Sequence, residues 1–234
     1  MKILAVSDVE CKALWDNFQP GMLDGYDLIL SCGDLKAEYL TFLVTMGRAR
    51  LLYVHGNHDI KYAYAPPEGC DDIDGYLVEY NGVRIMGLGG CMQYNDGEHQ
   101  YTELQMSRRV ARLARAVKKC GGVDIVITHA PPKGIGDMED VAHRGFECFV
   151  KLIDEFKPAL FLHGHTHLTY GYNSQREHIR GSTRIINVAE RFTIELPDKD
   201  CPEDKKGKLI YKTRHRTAEP MMAVLRQKIH SKPI

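Results

Sequence analysis

The run Phe161-Leu162-His163-Gly164-His165-Thr166-His167 carries an apolar strand into a glycine and then sets two imidazoles two residues apart. Three upstream segments repeat the plan: Asp8, Gly33-Asp34 and Gly56-Asn57-His58-Asp59 each follow a short apolar stretch. Buried strands that end in carboxylates, amides and imidazoles constrain the fold, because these groups act together only if the strand ends meet at one rim. The apolar, β-branched runs lie at residues 3–6, 28–31, 51–55, 125–128, 159–162 and 185–188, each short enough for a buried strand. An alternating segment from Tyr76 to Gly87 is split by Asn81-Gly82, a pair that tolerates two positive φ values and predicts a hairpin.

Helical spacing separates the strands. Met106, Val110, Leu113 and Val117 fall on one face, as do Phe146, Phe149, Val150, Ile153 and Phe156 before Pro158, a residue that stops a helix. Leu40, Leu43 and Val44 predict another helix, with Gly47 as its end. Strand and helix alternating around a hairpin imply a layered α/β fold built on a mixed sheet or a pair of sheets.

A chain of 234 residues with 44% hydrophobic content can bury one sizeable core. The expected division is a main domain over residues 1–197 and a charged extension over 198–234. That extension carries one further strand at 209–212 and a basic tail in which Met221, Leu225 and Ile229 share a helical face. The 31 basic residues balance the 31 acidic ones, so no overall field draws the chain to nucleic acid or to an anionic membrane. Seven cysteines without a Cys-x-x-Cys pair argue against a full disulfide framework and for a reducing cytoplasm. No apolar run approaches the roughly 20 residues of a membrane span, and the start of the chain lacks the pattern of a signal peptide.

Hydrolysis of a phosphate ester needs a nucleophile, neutralisation of the non-bridging oxygens and a proton for the leaving group. Two divalent ions held by a shared carboxylate, further carboxylates and imidazoles supply the first two, and the strand ends offer that inventory. Taken singly, each residue has a structural role open to it: Asp34 could cap a helix, Asn57 could favour a turn, and His129 could be a satisfied strand-end histidine.

Taken together, Asp8, Gly33-Asp34, Gly56-Asn57-His58-Asp59, Thr128-His129 and Gly164-His165-Thr166-His167 resemble the calcineurin-like metallophosphoesterases, in the family's order and across residues 1 to about 196. The resemblance implies a four-layer α-β-β-α sandwich of two mixed β-sheets flanked by helices. It implies two divalent ions, Mn²⁺ first, with Fe, Zn, Ni and Mg as other candidates. Asp34 would bridge them, with Asp8 and His167 on the first ion and Asn57, His129 and His165 on the second. His58 would be the general acid, oriented by Asp59.

The family pattern Asp-x-His is broken here by Asp8-Val9-Glu10. Glu10 is expected to coordinate in place of the imidazole, since a carboxylate suits Mn²⁺, Fe or Mg²⁺. Its charge would weaken the field of the ions and favour monoanionic diesters over dianionic monoesters.

Thr128-His129-Ala130-Pro131-Pro132 with Gly134, Asp137, His143 and Gly145, and later Tyr170-Gly171, is similar to the small branch of the mammalian metallophosphoesterase-domain proteins, which implies phosphodiester hydrolysis. Asp137 reads as a helix cap and His143 as an exposed histidine, with substrate contact as the alternative. Tyr94, Asn95, His99 and Tyr101 read as a surface loop, or as a lid. Arg108, Arg109, Arg112, Arg115, Lys118 and Lys119 read as a solvated basic face, with a phosphate-binding surface as the alternative. The leading expectation is a small-molecule phosphodiesterase using a bridging hydroxide. The alternatives are a nuclease, a phosphomonoesterase, or a binding scaffold on the same fold, as in the retromer subunit that resembles this family.

Overall fold

The computed structural model describes residues 1–167 and 175–213. The Tyr170-Gly171 pair and the helical face of Met221, Leu225 and Ile229 lie outside the described residues.

Strand β1 (Lys2–Ser7) leads to β2 (Leu28–Ser31), helix α1 (Ala37–Gly47), β3 (Arg50–Tyr53) and β4 (Cys70–Asp72). The hairpin β5 (Leu77–Tyr80) and β6 (Val83–Leu88) follows, turning at Asn81 and Gly82 with φ of 47° and 76°. The short strands β7 (Cys91–Met92) and β8 (Gln100–Tyr101) precede helix α2 (Glu103–Lys119). Next come β9 (Ile125–Thr128), helix α3 (Glu147–Phe156), β10 (Leu160–His163), β11 (Glu177–Arg180), β12 (Thr183–Asn187), β13 (Glu190–Glu195) and β14 (Leu209–Tyr211).

The strands form two large mixed sheets. The first has the order β13-β1-β2-β3-β4 and the second β11-β12-β10-β9-β6-β5-β14. In the first, β1 to β4 run parallel and β13 closes one edge antiparallel. In the second, β12, β10, β9 and β6 are parallel, with antiparallel partners outside them. The strand expected at 209–212 forms as β14 and pairs with β5, so the segment beyond residue 197 supplies an edge of the second sheet.

Alternation along the strands builds the layers. Ile3, Ala5, Leu28 and Leu30 meet Ile125, Ile127, Leu160 and Leu162 between the sheets. The intervening Leu4, Val6 and Ile29 turn to the layer of Tyr39, Leu40 and Leu43 on α1. On the far side Val126 and Phe161 pack against Met106, Leu113, Val117, Phe149 and Ile153 of α2 and α3. The result is the expected four-layer α-β-β-α sandwich.

Helix α1 ends differently from the expectation. Gly47 is its last helical residue, and the left-handed capping position falls on Arg48 at φ 53°. Among the described residues no helix is long and apolar enough to cross a membrane.

Candidate metal centre

The parallel strands of both sheets send their carboxyl ends to the same rim, the edge where open α/β sheets commonly bind ligands. Asp8 follows β1, Asp34 follows β2, Asn57 follows β3, His129 follows β9 and His165 follows β10. Asp34, His129 and His165 bring one ligand atom each to within 4.8 Å of one another. His129 Nε2 lies 3.3 Å from Asp34 Oδ2 and 3.0 Å from Asn57 Oδ1.

Backbone carbonyls set how these rings are presented. His129 Nδ1 bonds Cys32 O at 2.8 Å, which turns Nε2 towards Asp34 and Asn57. His165 Nε2 bonds Ala142 O at 2.7 Å, which leaves Nδ1 as its acceptor nitrogen. A second hydrogen bond that fixes the tautomer of a ligating histidine is a common feature of metal sites.

The electrostatics point the same way. Burial lowers the basicity of His129, yet the Asp34 carboxylate beside it, with help from Asp8, pushes its pKa up to about 9. Burial opposes ionisation of Asp34, and His129 overrides that to hold its carboxyl well below the usual range. Burial and the charge of His129 push His165 down to about 3, which keeps it neutral. Asp34 Oδ2, Asn57 Oδ1 and the His129 nitrogen therefore gather around a place that wants a positive charge, which a proton or a metal ion can supply. Carboxylate, amide and imidazole together suit Mn, Fe or Zn, so the residues fit the implied ions.

Asp8 stands next to this cluster. Its carboxylate accepts from the His165 amide at 2.9 and 3.1 Å, and burial raises its pKa. Asp8, Asp34 and His165 adopt φ of 65°, 58° and 69°, a left-handed backbone that side-chain-bearing residues rarely take. Glycines make the approach close enough. A Cβ on Gly56 would overlap the Asp34 carboxylate, and one on Gly164 would overlap the Ser7 hydroxyl.

The remaining expected residues are placed less directly. His167 is partly buried and ends the described stretch. Glu10 faces Lys36, with its carboxylate 3.4 Å from the Lys36 amide and 3.5 Å from the ammonium. The His58 side chain is 75% exposed and its Nε2 lies 4.0 Å from Asp34 Oδ2, which puts it at the mouth of the centre. Asp59 braces the loops behind the centre. Its Oδ2 accepts from the amides of Gly56 at 2.7 Å and Asp34 at 2.8 Å, clamping the two loops that carry Asn57 and Asp34. Burial and the Asp34 charge raise its pKa to about 6.

Two other expectations change. Asp137 caps a loop, not a helix, accepting from the amides of Gly134 and Gly145. His143 is only 23% exposed on its side chain. Its ring lies 5.0 Å from that of His165, and Asp140 holds its Nδ1 at 2.9 Å. Tyr94, read from the sequence as part of a surface loop or a lid, borders the centre, and the sequence does not foretell its pairing with Asn57: Asn57 Nδ2 donates to its hydroxyl at 3.3 Å. No periodicity marks that pairing, which joins two loops far apart in sequence.

The profile of the calcineurin-like phosphoesterase superfamily domain matches residues 1–190. The chain belongs to that superfamily. It is similar to UPF0046 protein K07C11.7 of Caenorhabditis elegans, with 25% identity over 212 residues, 81% of this chain and 70% of the relative. Among solved structures, TT1561 of Thermus thermophilus superposes with a TM-score of 0.52 at 16% identity, covering 81% of this chain and 89% of the other. GAP50, described as the anchor in the inner membrane complex of Plasmodium, superposes with a TM-score of 0.52 at 9% identity, covering 90% and 78%. At such identities these two likenesses bear on the fold alone. Membership in the superfamily and the Asp34–His129–His165 cluster agree on a candidate site for divalent metal.

Proposed function

We propose that the chain is a metal-dependent hydrolase of small phosphate esters, preferring phosphodiesters and working from a dinuclear centre filled by Mn²⁺. The observation that carries this reading is the convergence of Asp34, His129 and His165 from the ends of both sheets, with exposed His58 beside it. When bound, the ions supply an activated water and neutralise the phosphoryl oxygens.

In this reading Asp34 would be the shared ligand, with Asp8 and His167 holding one ion and Asn57, His129 and His165 the other. Glu10 would join the Asp8 side in exchange for its contact with Lys36. His58 gives its proton to the leaving oxygen from the open side of the site, and Asp59 keeps the His58 loop seated by holding the amides behind it. Glu10 in place of the family's histidine supports the diester preference, because an added negative charge repels a dianionic monoester more than a monoanionic diester. The balance of 31 basic and 31 acidic residues supports a small substrate over nucleic acid, and the odd cysteine count supports a cytoplasmic setting.

Metal-stripped protein reloaded with Mn²⁺ or Zn²⁺ and assayed on bis-p-nitrophenyl phosphate and p-nitrophenyl phosphate tests the reading. The diester with Mn²⁺ is expected to turn over fastest. His58→Ala is expected to lose roughly 10²–10⁴ in rate while keeping its metal. Faster monoester hydrolysis, or equal turnover with Zn²⁺, counts against the diester and manganese assignments. A chain that takes up no metal and hydrolyses neither ester is a binding scaffold.

A further inference from the structure

The side-chain amide of Asn57 can sit either way round, and only one way presents oxygen to the metal centre. Its Oδ1 faces His129 Nε2 at 3.0 Å, and its Nδ2 donates to Tyr94 Oη at 3.3 Å. A phenol oxygen accepts readily from an amide N–H. Reversing the amide would put N–H groups against the cation site and break that bond. We infer that Tyr94 is a positioning residue that locks Asn57 in its metal-binding orientation; the inference rests on the metal-centre reading above.

Tyr94 is brought there by a braced loop. Gly90 N donates to His55 O at 2.7 Å, which hooks the start of the loop to the residue after Val54 at the end of the first sheet. Arg109 reaches from α2 to Gly89 O at 2.8 Å and lies over the Tyr101 ring at 4.3 Å. Within the loop, Gln100 Oε1 accepts from the amides of Tyr94 and Asn95 at 3.1 Å each, and its Nε2 donates to Asn95 Oδ1 at 2.6 Å. The loop also lines an open cleft of about 410 Å³, formed by Met92, Gln93, Tyr94, Asn95, Asp96, Thr102 and Glu103. Tyr94 itself remains 37% exposed.

Tyr94→Phe keeps the ring and removes the acceptor. In metal-stripped full-length protein titrated with Mn²⁺ and followed by the electron paramagnetic resonance of the free ion, the variant is expected to bind roughly 10-fold more weakly or worse, the range typical of lost support for a ligand. Its thermal midpoint without metal should match the parent's. In an Asn57→Ala background the Tyr94→Phe change should have no further effect, since the bond it removes is already gone. Equal affinity of Tyr94→Phe and the parent overturns the inference, as does a loss of the same size in the Asn57→Ala background. Failure of the parent to take up Mn²⁺ overturns the metal-centre reading first and this inference with it.

Discussion

Asp8, Asp34 and His165 each sit on left-handed backbone, a conformation that costs a residue with a Cβ about 1 kcal/mol or more. Such strain persists where surrounding contacts over-determine it, and here they do: Asp59 clamps the Asp34 amide, and Asp8 grips the amide of His165. Gly56 is part of the same fit, because its bare Cα lies against the Asp34 carboxylate. Gly56→Ala should therefore push Asp34 out of register with His129 and weaken Mn²⁺ binding roughly 10-fold or more, a loss comparable to removal of direct ligand support. Calorimetric titration checks this; unchanged affinity would show that the loop has room to give. At this scale the sequence disclosed which residue types gather but not how they are held. Asp34, His129 and His165 follow apolar runs and could be picked out, whereas the grip of Asp59 on two amides, the Ala142 carbonyl behind His165 and the approach of Tyr94 depend on loops that meet only in the folded chain.

Helix α2 begins with a capping box: Gln105 N donates to the Thr102 hydroxyl at 3.3 Å, and Thr102 N donates to Gln105 Oε1 at 2.8 Å. Removing the first of these by Thr102→Ala should cost about 1 kcal/mol. It should lower the midpoint of urea unfolding without changing the slope; a change in slope would mean that the helix end no longer unfolds with the rest. The same helix corrects the view of a uniformly solvated basic face. Arg109 turns inward, its side chain only 14% exposed, to pair with Asp74 at 2.5 Å. The elements legible in the sequence are those buried on both faces, such as β2 and β9, where every residue is buried. Strands β4, β11 and β13 escaped notice because they are polar edges. Each is hydrogen-bonded on one side and half in water, so pairing rather than apolar content makes it a strand.

Across the whole molecule, the two sheets are joined at the rim by polar contacts as well as by the core between them. The Cys32 carbonyl of the first sheet takes His129 of the second, and Asp8 of the first takes the His165 amide of the second. The opposite end of the second sheet has its own bolt. Asp124, just before β9, accepts from Arg84 Nε at 3.0 Å and Nη2 at 2.8 Å, and from Lys199 Nζ at 2.7 Å. It thus ties β6, β9 and the chain beyond β13 together. Burial opposes the charge on Asp124, but these bonds prevail and lower its pKa from 3.8 to about 2. A carboxyl that is more acidic folded than unfolded stabilises the fold above the unfolded pKa, and that contribution fades as pH falls from about 4 towards 2. Asp124→Asn should cost about 1.5–3 kcal/mol at pH 7, the range for hydrogen bonds to a charged group. The gap between variant and parent should narrow steadily below pH 4, because the parent is then losing the same charge. Urea unfolding of both proteins at a series of pH values measures the gap. A difference that stays constant down to pH 2 would mean that shape, not charge, is what Asp124 contributes to this junction.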